Sequence, residues 1–370
     1  MQLTRIALSN FRNYAQLDLE PSPGLNVIVG ANAQGKSNLL EAIAMLGTGK
    51  SFRTGRESDL IREGIDLAVI GGDARVRAGV VHLGCTLTKS ARGMRKQYTI
   101  NGQGVRYAKF LGSIKVVTFV PADLQLVVGA PSLRRGFLNM ALAQEERAYY
   151  HAFVRYQKAL QQKSALLRGS IAPDEELLAI YDHTLVESGT QVMLMRNHLV
   201  AAIARHAHET HARWTGGRET LAVRYAPNVP FEAPTADSIG GALAQRLREV
   251  APMERVRKTT LAGPHRDDVA LLLDGGSLAA YGSQGQQRTA VLALKVAEYS
   301  VMNDRSGEAP LLLLDDVLSE LDEARAAAFL AAVGGYEQAF VTATHLPAGL
   351  PGDAHIYTVV QAGVRPEVAC

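Results

Sequence analysis

The sequence predicts an α/β fold whose parallel sheet is interrupted by a subdomain of antiparallel strands and by an arm of long helices. A β-branched run leads into a glycine-rich loop and a helix near residue 30, and the leucine run Leu311 to Leu314 is typical of a buried strand. A long stretch with helical periodicity lies between these two patterns. Because the two strand patterns lie far apart in the chain, they predict one sheet assembled from both ends of the sequence.

Length and composition are those of an ordinary soluble globular chain. The 370 residues suffice for two or three structural units, with 47% hydrophobic and 20% charged residues. The formal net charge of +3 permits a nucleic-acid partner without requiring one. No targeting segment is recognisable, and no run approaches the roughly 20 apolar residues of a membrane span. With two distant cysteines, Cys85 and Cys370, these features predict a cytoplasmic protein with reduced thiols.

The first chemical signal is a phosphate-loop pattern between a strand and a helix. The run "NVIVG" leads into Gly30-x-x-x-x-Gly35-Lys36-Ser37, and apolar residues then recur at helical spacing. Loop amides and the helix N-terminus are suited to phosphates, Lys36 to the terminal phosphates and Ser37 to Mg²⁺. A chance glycine-rich turn is disfavoured because pattern and context agree independently. The candidate nucleotide-binding residues here are Gly30, Asn32, Gly35, Lys36, Ser37 and Asn38.

The second chemical signal is a pair of carboxylates, Asp315 and Asp316, at the end of the leucine run. Two carboxylates at the end of a buried strand are costly unless they meet a cation. With a helix expected from about Ser319, Asp315 is a candidate Mg²⁺ ligand and Asp316 a candidate to orient or activate water. A third buried strand, in "QAFVTATHLP", ends at His345. A single histidine is more often structural, but at this sheet edge it is also a candidate γ-phosphate contact.

A third signal is the loop "YGSQGQQRT", which directly precedes the helical run "AVLALKVAEY". Small and amide residues at a helix start are suited to holding a polar group, and nothing in the loop's own segment needs holding. Together with the phosphate loop and the downstream carboxylates, this loop resembles the signature of ABC-type ATPase heads. In that class Ser283, Gly285 and Gln286 would cap the ATP bound by a second subunit.

Within that class the chain resembles the RecF family of bacterial recombinational-repair proteins, which are related to SMC heads. The resemblance covers nearly the whole chain, and the order "GPHRDD", "SQGQQR", "DDVLSELD" is far more specific than the phosphate loop alone. It implies a P-loop ABC-type ATPase head with an antiparallel β subdomain and an inserted helical arm. The other segments that carry it are "LSNFRNY", "GANAQGKSNLLEAI", "GKSFRT" and "FVPADLQLVVGAPSLRRGFLN".

The chain departs from the wider ABC pattern at two places. The signature reads Gly-Ser-Gln-Gly-Gln where a transporter head usually has Leu-Ser-Gly-Gly-Gln, and Asp316 stands where that class has glutamate. Aspartate is one methylene shorter and reaches an attacking water less well, so we expect slow hydrolysis. Gln125, in the position of the class's glutamine loop, and His345 are further catalytic candidates, ranked below the two aspartates.

Residues 65–120 predict an antiparallel sheet, with a hairpin turn at Asn101-Gly102. Considered alone, the charges of this segment favour a solvated hairpin. The resemblance instead implies that they are candidate contacts with DNA phosphates. Arg53, in "SFRT", stands where relatives carry an arginine that links nucleotide to DNA. The candidate hairpin contacts are Lys89, Arg92, Arg95, Lys96 and Arg106, beside Lys109.

Residues 132–220 predict an inserted arm of two helices, broken at "GSIAP". The arm divides the predicted ATPase head into residues 1–131, which include the β subdomain, and residues 221–370. Without cysteines or an acidic cluster at ligand spacing, its histidines are interpreted as exposed polar residues rather than metal ligands. These histidines are His198, His206, His208 and His211.

Three functional classes fit a phosphate loop: an ATP-gated DNA-binding protein, a transporter ATPase subunit and a small-molecule kinase. A monomeric kinase has no use for the signature loop. A transporter subunit needs a membrane partner, and "GPHRDD" has no place in it. The resemblance implies an ATP-dependent homodimer that binds duplex, gapped or junction DNA and acts with RecO and RecR to load RecA at single-strand gaps.

Overall fold

The computed structural model describes residues 1–91, 93–169, 174–317, 329, 336–346 and 350–366. The chain divides into two compact units, which we call unit 1 (residues 1–123 and 298–370) and unit 2 (residues 124–297). Unit 2 extends beyond the predicted arm, residues 132–220, because further strands and a helix pack with the arm helices. No helix within the described ranges has the length and apolarity needed to span a membrane.

The regular elements follow in chain order. The strands are β1 (Gln2–Phe11), β2 (Tyr14–Leu19), β3 (Gly24–Val29), β4 (Leu67–Val76), β5 (Gly79–Ser90), β6 (Gly93–Ile100), β7 (Gln103–Val105), β8 (Val116–Phe119), β9 (Leu221–Ala226), β10 (Asp268–Leu273), β11 (Gly276–Ser277), β12 (Leu311–Asp315), β13 (Gln338–Ala343), β14 (His355–Val360) and β15 (Gly363–Pro366). The helices are α1 (Lys36–Thr48), α2 (Tyr107–Phe110), α3 (Gln125–Val128), α4 (Pro131–Glu145), α5 (Arg147–Arg168), α6 (Glu175–Thr215), α7 (Ala236–Arg257), α8 (Leu278–Tyr281) and α9 (Gln284–Ser306).

The predicted parallel sheet forms in unit 1 from both ends of the chain. Its strand order is β15-β14-β3-β13-β12-β8, and only the pairing of β15 with β14 is antiparallel. The leucine run of β12 is buried on both faces, as its lack of polar alternation predicts. Strand β13 lies between β3 and β12, so the phosphate loop and the two aspartates share one edge of the sheet. This arrangement confirms the predicted α/β core.

The second sheet of unit 1 is antiparallel and has the order β2-β1-β4-β5-β6-β7. The prediction for residues 65–120 was correct for β4 to β7 and wrong at its limits, because β1 and β2 join this sheet from before the phosphate loop and β8 pairs with β12 in the parallel sheet. Asn101 and Gly102, at φ 51° and 75°, join β6 to β7 in the two-residue turn predicted from the sequence. Cys85, on β5, is a free thiol in the core, and burial raises its pKa to about 12. Cys370 lies outside the described residues.

Helix α1 packs against both sheets of unit 1, with contacts to β8 and β12 on one side and to β4 and β5 on the other. Two glycines allow the close approach. A Cβ at Gly47 would lie 2.5 Å from Val116 Cγ2, and one at Gly72 would lie 2.4 Å from Leu46 Cδ1. Larger residues at these positions would force the helix away from the sheets, so both glycines fix the position of the phosphate loop at the start of α1.

Unit 2 contains α4 to α7 together with the three-stranded sheet β11-β10-β9. The prediction of a two-helix arm was wrong in number, because the described residues of this stretch form three helices, α4, α5 and α6. Glu146 adopts an extended conformation (φ −132°, ψ 107°) between α4 and α5, although apolar periodicity continues through the break. The interpretation of His211 as exposed was also wrong, since its ring is buried 3.7 Å from the carboxylate of Glu219.

The "GPHRDD" segment supplies a buried polar network inside unit 2. Arg196, on α6, donates to Asp267 Oδ2 at 3.2 Å and to the Pro264 carbonyl at 2.7 Å. Asp267 also accepts the Tyr225 hydroxyl and the Asn228 amide. Burial raises the pKa of Asp267, while the Arg196 guanidinium opposes that shift. The motif therefore joins the long helix α6 to the strand β10 through a paired buried charge.

Asp267→Ala should lower the free energy of unfolding by about 3–5 kcal/mol, because it leaves Arg196 buried without its carboxylate. The matched control is Glu187→Ala, which breaks the exposed Arg155–Glu187 pair and should cost at most about 1 kcal/mol. Urea unfolding followed through the fluorescence of Trp214, the single tryptophan, measures both. Equal losses in the two variants would contradict a structural role for the buried pair.

Candidate nucleotide-binding site

The phosphate loop, residues 30–37, leads from β3 into α1, and its backbone conformation and close contacts require glycine at two positions. A Cβ at Gly30 would lie 2.5 Å from the carbonyl oxygen of Val359, on the neighbouring strand β14. Gly35 has φ 119°, and a Cβ there would lie 2.9 Å from Asn13 Nδ2. Both glycines of the sequence pattern are therefore required by local geometry.

Lys36 lies across the mouth of this loop. Its Nζ donates to the carbonyl oxygens of Gly30, at 2.6 Å, and Ala31, at 2.9 Å. Burial lowers the pKa of Lys36, and the charges of Asp316 and Asp315 partly oppose that shift. The ammonium group is thus held by the loop carbonyls and is within electrostatic reach of the two carboxylates. A bound phosphate would replace these neutral carbonyls as the hydrogen-bond acceptor.

Asp315 is the last residue of β12 and Asp316 follows it, and one hydroxyl group ties both residues to the next strand. Thr342 Oγ1, on β13, donates to Asp315 Oδ1 at 2.9 Å and accepts the Asp316 amide at 2.9 Å. Asp315 is buried, and Asp316 has a left-handed backbone at φ 55°. Thr342 is a site residue that the sequence analysis missed, and its local signal was a hydroxyl within an otherwise apolar strand.

The turn between β1 and β2 and the first residue of β2 hydrogen-bond to the phosphate loop. Asn13 donates to the Gln34 carbonyl at 3.1 Å and accepts from Asn38 Nδ2 at 2.8 Å. The hydroxyl of Tyr14 donates to the Gly35 carbonyl at 3.1 Å. These contacts give the "FRNY" segment a physical role, namely to hold the loop and the first turn of α1 in one arrangement.

Arg53 lies beside the first turn of α1, and its predicted role between nucleotide and DNA stays a prediction. Its guanidinium donates to Asn38 Oδ1 at 2.5 Å and lies 3.9 Å from Glu41 Oε2. Glu41 is fully buried on α1 and accepts two hydrogen bonds from Arg12, at 2.7 and 2.8 Å, and a third from Ser51. The sequence analysis missed Glu41, although a lone acid in an apolar helix was its signal.

The signature loop forms the start of α9 in unit 2. Ser283 Oγ accepts the Gln286 amide, while Gln286 Oε1 accepts the Ser283 amide at 2.8 Å, which is a reciprocal cap. Gln286 Nε2 also donates to Glu219 at 2.9 Å. Ser283 and Gly285 are exposed. Capping hydrogen bonds therefore hold the loop, and its small residues face solvent.

Comparisons with known proteins identify the family of the chain. The family model described as RecF/RecN/SMC N terminal domain matches residues 2–348. A DNA replication and repair protein RecF from Gloeobacter violaceus is 43% identical over 353 residues, covering 94% of this chain and 92% of that protein. One from Symbiobacterium thermophilum is also 43% identical, over 352 residues, with the same coverage. The chain belongs to the RecF family.

Solved structures agree at the level of the whole fold. A structure of the recombination mediator protein RecF with ATP, described as part of the RecFOR pathway, has a TM-score of 0.91 and 31% identity, and covers 99% of this chain and 97% of that one. An SMC head bound to a winged-helix domain of ScpA is 17% identical with a TM-score of 0.56, and covers 99% and 97% of the two chains. That likeness shows the ABC-type head fold alone.

The remaining catalytic candidates lie at exposed positions. His345 follows the carboxyl end of β13, on the sheet edge where the sequence predicts it. Gln125 begins the short helix α3 of unit 2 and is also exposed. The roles of both residues stay predictions. The helix expected from Ser319 lies outside the described residues.

The structure separates the predicted basic residues of the β subdomain. Arg95 and Lys96 are adjacent on β6 and point to opposite faces of the sheet. Arg95 is exposed, whereas Lys96 lies 2.7 Å from Glu57 and donates to the Gly49 carbonyl at 3.0 Å. Lys89 and Arg106 are exposed, and Arg92 lies outside the described residues. The hairpin therefore does not present all its cations on one surface.

Lys36→Met should weaken ATP binding by roughly 10- to 100-fold, the loss expected for one hydrogen bond to a charged phosphate. Calorimetric titration with ATP and Mg²⁺ measures it. Lys158→Met, at an exposed position on α5, is the matched control and should bind like the parent. An unchanged affinity in Lys36→Met, with the control intact, would remove Lys36 from the nucleotide site.

Proposed function

We propose that this protein is an ATP-dependent DNA-binding protein of recombinational repair and a weak, DNA-dependent ATPase that acts as a switch. The observation that carries the proposal is the shared sheet edge, where the Lys36 loop and the carboxylates of Asp315 and Asp316 converge. The similarity to RecF bound to ATP supports ATP as the ligand. A cytoplasmic location, as predicted from the sequence, fits this role.

The donor set also fits Mg²⁺. The Ser37 hydroxyl and the buried Asp315 carboxylate are hard oxygen ligands, which this cation prefers, and the Asp315–Thr342 hydrogen bond holds one of them in position. When bound, the ion neutralises charge on the phosphates of the nucleotide. Asp316 is the candidate to orient water. Its short side chain is consistent with slow hydrolysis, because the attacking water must come close to the carboxylate.

The switch arises from a symmetric dimer with two composite sites. Each ATP would lie between the phosphate loop of one chain and Ser283, Gly285 and Gln286 of the other. Association costs roughly 4–15 kcal/mol of lost freedom, and each hydrogen bond to a charged phosphate contributes about 1.5–3 kcal/mol. A few such bonds at each site favour the dimer, and loss of the γ-phosphate reverses that preference. The exposed, capped start of α9 supports this geometry.

DNA is the proposed partner of the ATP-bound dimer. Arg53, Arg95 and the exposed hairpin residues Lys89 and Arg106 supply cations for the phosphate backbone of duplex or gapped DNA. Relatives described as DNA replication and repair proteins, and a structure described within the RecFOR pathway, support a role with RecO and RecR in placing RecA on gapped DNA. Hydrolysis of ATP then separates the dimer, releases the DNA and resets the protein.

The decisive experiment concerns Ser283→Arg, which places a long cation where the opposite γ-phosphate should lie. ATP binding by each monomer should stay nearly intact, whereas ATP-induced dimerisation and most hydrolysis should be lost. Light scattering with and without ATP measures the mass. Mixing this variant with Lys36→Met is the control, because their heterodimer contains one complete composite site and should recover part of the hydrolysis. Loss of ATP binding by the Ser283→Arg monomer would refute the composite site.

Arg95→Ala should weaken binding to duplex DNA about equally for all sequences and reduce the slope of log affinity against log salt by about 1, as expected for one lost phosphate contact. Arg205→Ala, which removes an exposed arginine of α6, is the control and should keep the parent slope. Fluorescence anisotropy across a salt series measures both. If Arg95→Ala keeps the salt slope of the parent, Arg95 does not contact DNA and the hairpin is only solvated.

A further inference from the structure

Unit 1 contains a cavity of about 360 Å³ that the nucleotide site does not use. It lies between the loop 49–57 and strand β6, and its lining includes Gly49, Gly55, Glu57, Lys96, Tyr98 and Tyr107. Its volume is within the range of small-ligand pockets. None of these residues belongs to the phosphate loop or to the aspartate pair.

The cavity is at the opposite end of α1 from the phosphate loop. The Tyr107 hydroxyl donates to the Thr48 carbonyl at 2.7 Å, at the last residue of the helix. A Cβ at Gly49 would lie 2.6 Å from the Tyr107 ring. Since α1 has 13 residues, about 20 Å separate its two ends. The cavity is therefore a second site, fixed to the same helix.

The lining combines flat aromatic rings with a paired donor and acceptor. The Tyr98 ring lies 5.5 Å from that of Tyr107 and 4.7 Å from that of Phe110, which holds it in place. Lys96 Nζ and Glu57 Oε1, 2.7 Å apart, present a cation and a carboxylate side by side. Nucleobases have stackable faces and carry donors and acceptors along their edges. A phosphate fits less well because Glu57 would repel it.

We propose that this cavity binds an unpaired nucleobase of DNA, stacked beside the tyrosines and read at its edge by Lys96 and Glu57. The inference rests on the proposed DNA-binding function and gives that function a preference for single-stranded positions. Lys50 lines the cavity and is exposed, so it can contact the adjoining phosphate. The same loop carries Arg53, which contacts Asn38 in the first turn of α1.

The test compares gapped DNA with the same DNA whose gap nucleotides are abasic, because the two differ only in the bases. The parent protein should bind the intact gap about tenfold more tightly, the effect of stacking one base. Gly55→Leu places a side chain at the cavity wall, where no atom lies within 4 Å of the position of the new Cβ. This variant should bring the ratio of the affinities for intact and abasic gaps close to one. Gly241→Leu, at an equally open position on α7, should keep the parent ratio.

Glu57→Gln is a second variant that keeps the size of the side chain while removing the carboxylate, and it should also reduce the ratio. A parent ratio of one, or a parent-like ratio in both cavity variants, overturns the inference while leaving DNA binding in place. If the parent protein binds neither DNA, the proposed function itself is refuted. The base in the cavity could belong to DNA or to ATP, and the affinity of Gly55→Leu for ATP distinguishes the two. This affinity should equal that of the parent, whereas a loss of ATP affinity would assign the cavity to the base of ATP.

Discussion

Burial of α1 between two sheets is the constraint on which unit 1 depends. The helix contacts the parallel sheet and the antiparallel sheet at once, and glycines at positions 47 and 72 set the spacing. A helix packed on both sides cannot shift without opening two interfaces, because protein interiors are close-packed. Its first residue, Lys36, is therefore held at the sheet edge where Asp315 ends β12. Its far end contacts the wall of the cavity between the loop 49–57 and β6.

Charges buried in this framework are paired in ways that fix neighbouring segments. Glu41 accepts from Arg12 and Ser51, so one carboxylate joins α1 to the β1–β2 turn and to the loop that contains Arg53. In unit 2, the Arg196–Asp267 pair has the same effect on α6 and β10. Breaking such a pair leaves an uncompensated charge in a medium of low dielectric constant, which costs far more than losing an exposed pair. Buried pairs therefore act as positional anchors in both units.

The sequence predicted those elements whose signal lies in adjacent residues. The strand, loop and helix at residues 24–48, the Asn101-Gly102 turn and the buried strand β12 all follow from local periodicity and turn chemistry. The break at Glu146 was missed because a single extended residue does not interrupt apolar periodicity. The burial of His211 was missed for a related reason: which side of a long helix is covered depends on its neighbours in the fold.

The sequence by itself determined the family, the two sheets and the residues that meet at the edge of the parallel sheet. These depend on motifs whose chemistry is local, such as glycines that admit left-handed backbone or carboxylates placed at the end of an apolar strand. Only the tertiary structure decided that Thr342 binds both aspartates, that Glu41 lies beside Arg53, and that Lys96 turns away from Arg95 toward Glu57. Each of these contacts joins residues from different strands, helices or loops, and their distances depend on how the elements pack rather than on spacing along the chain.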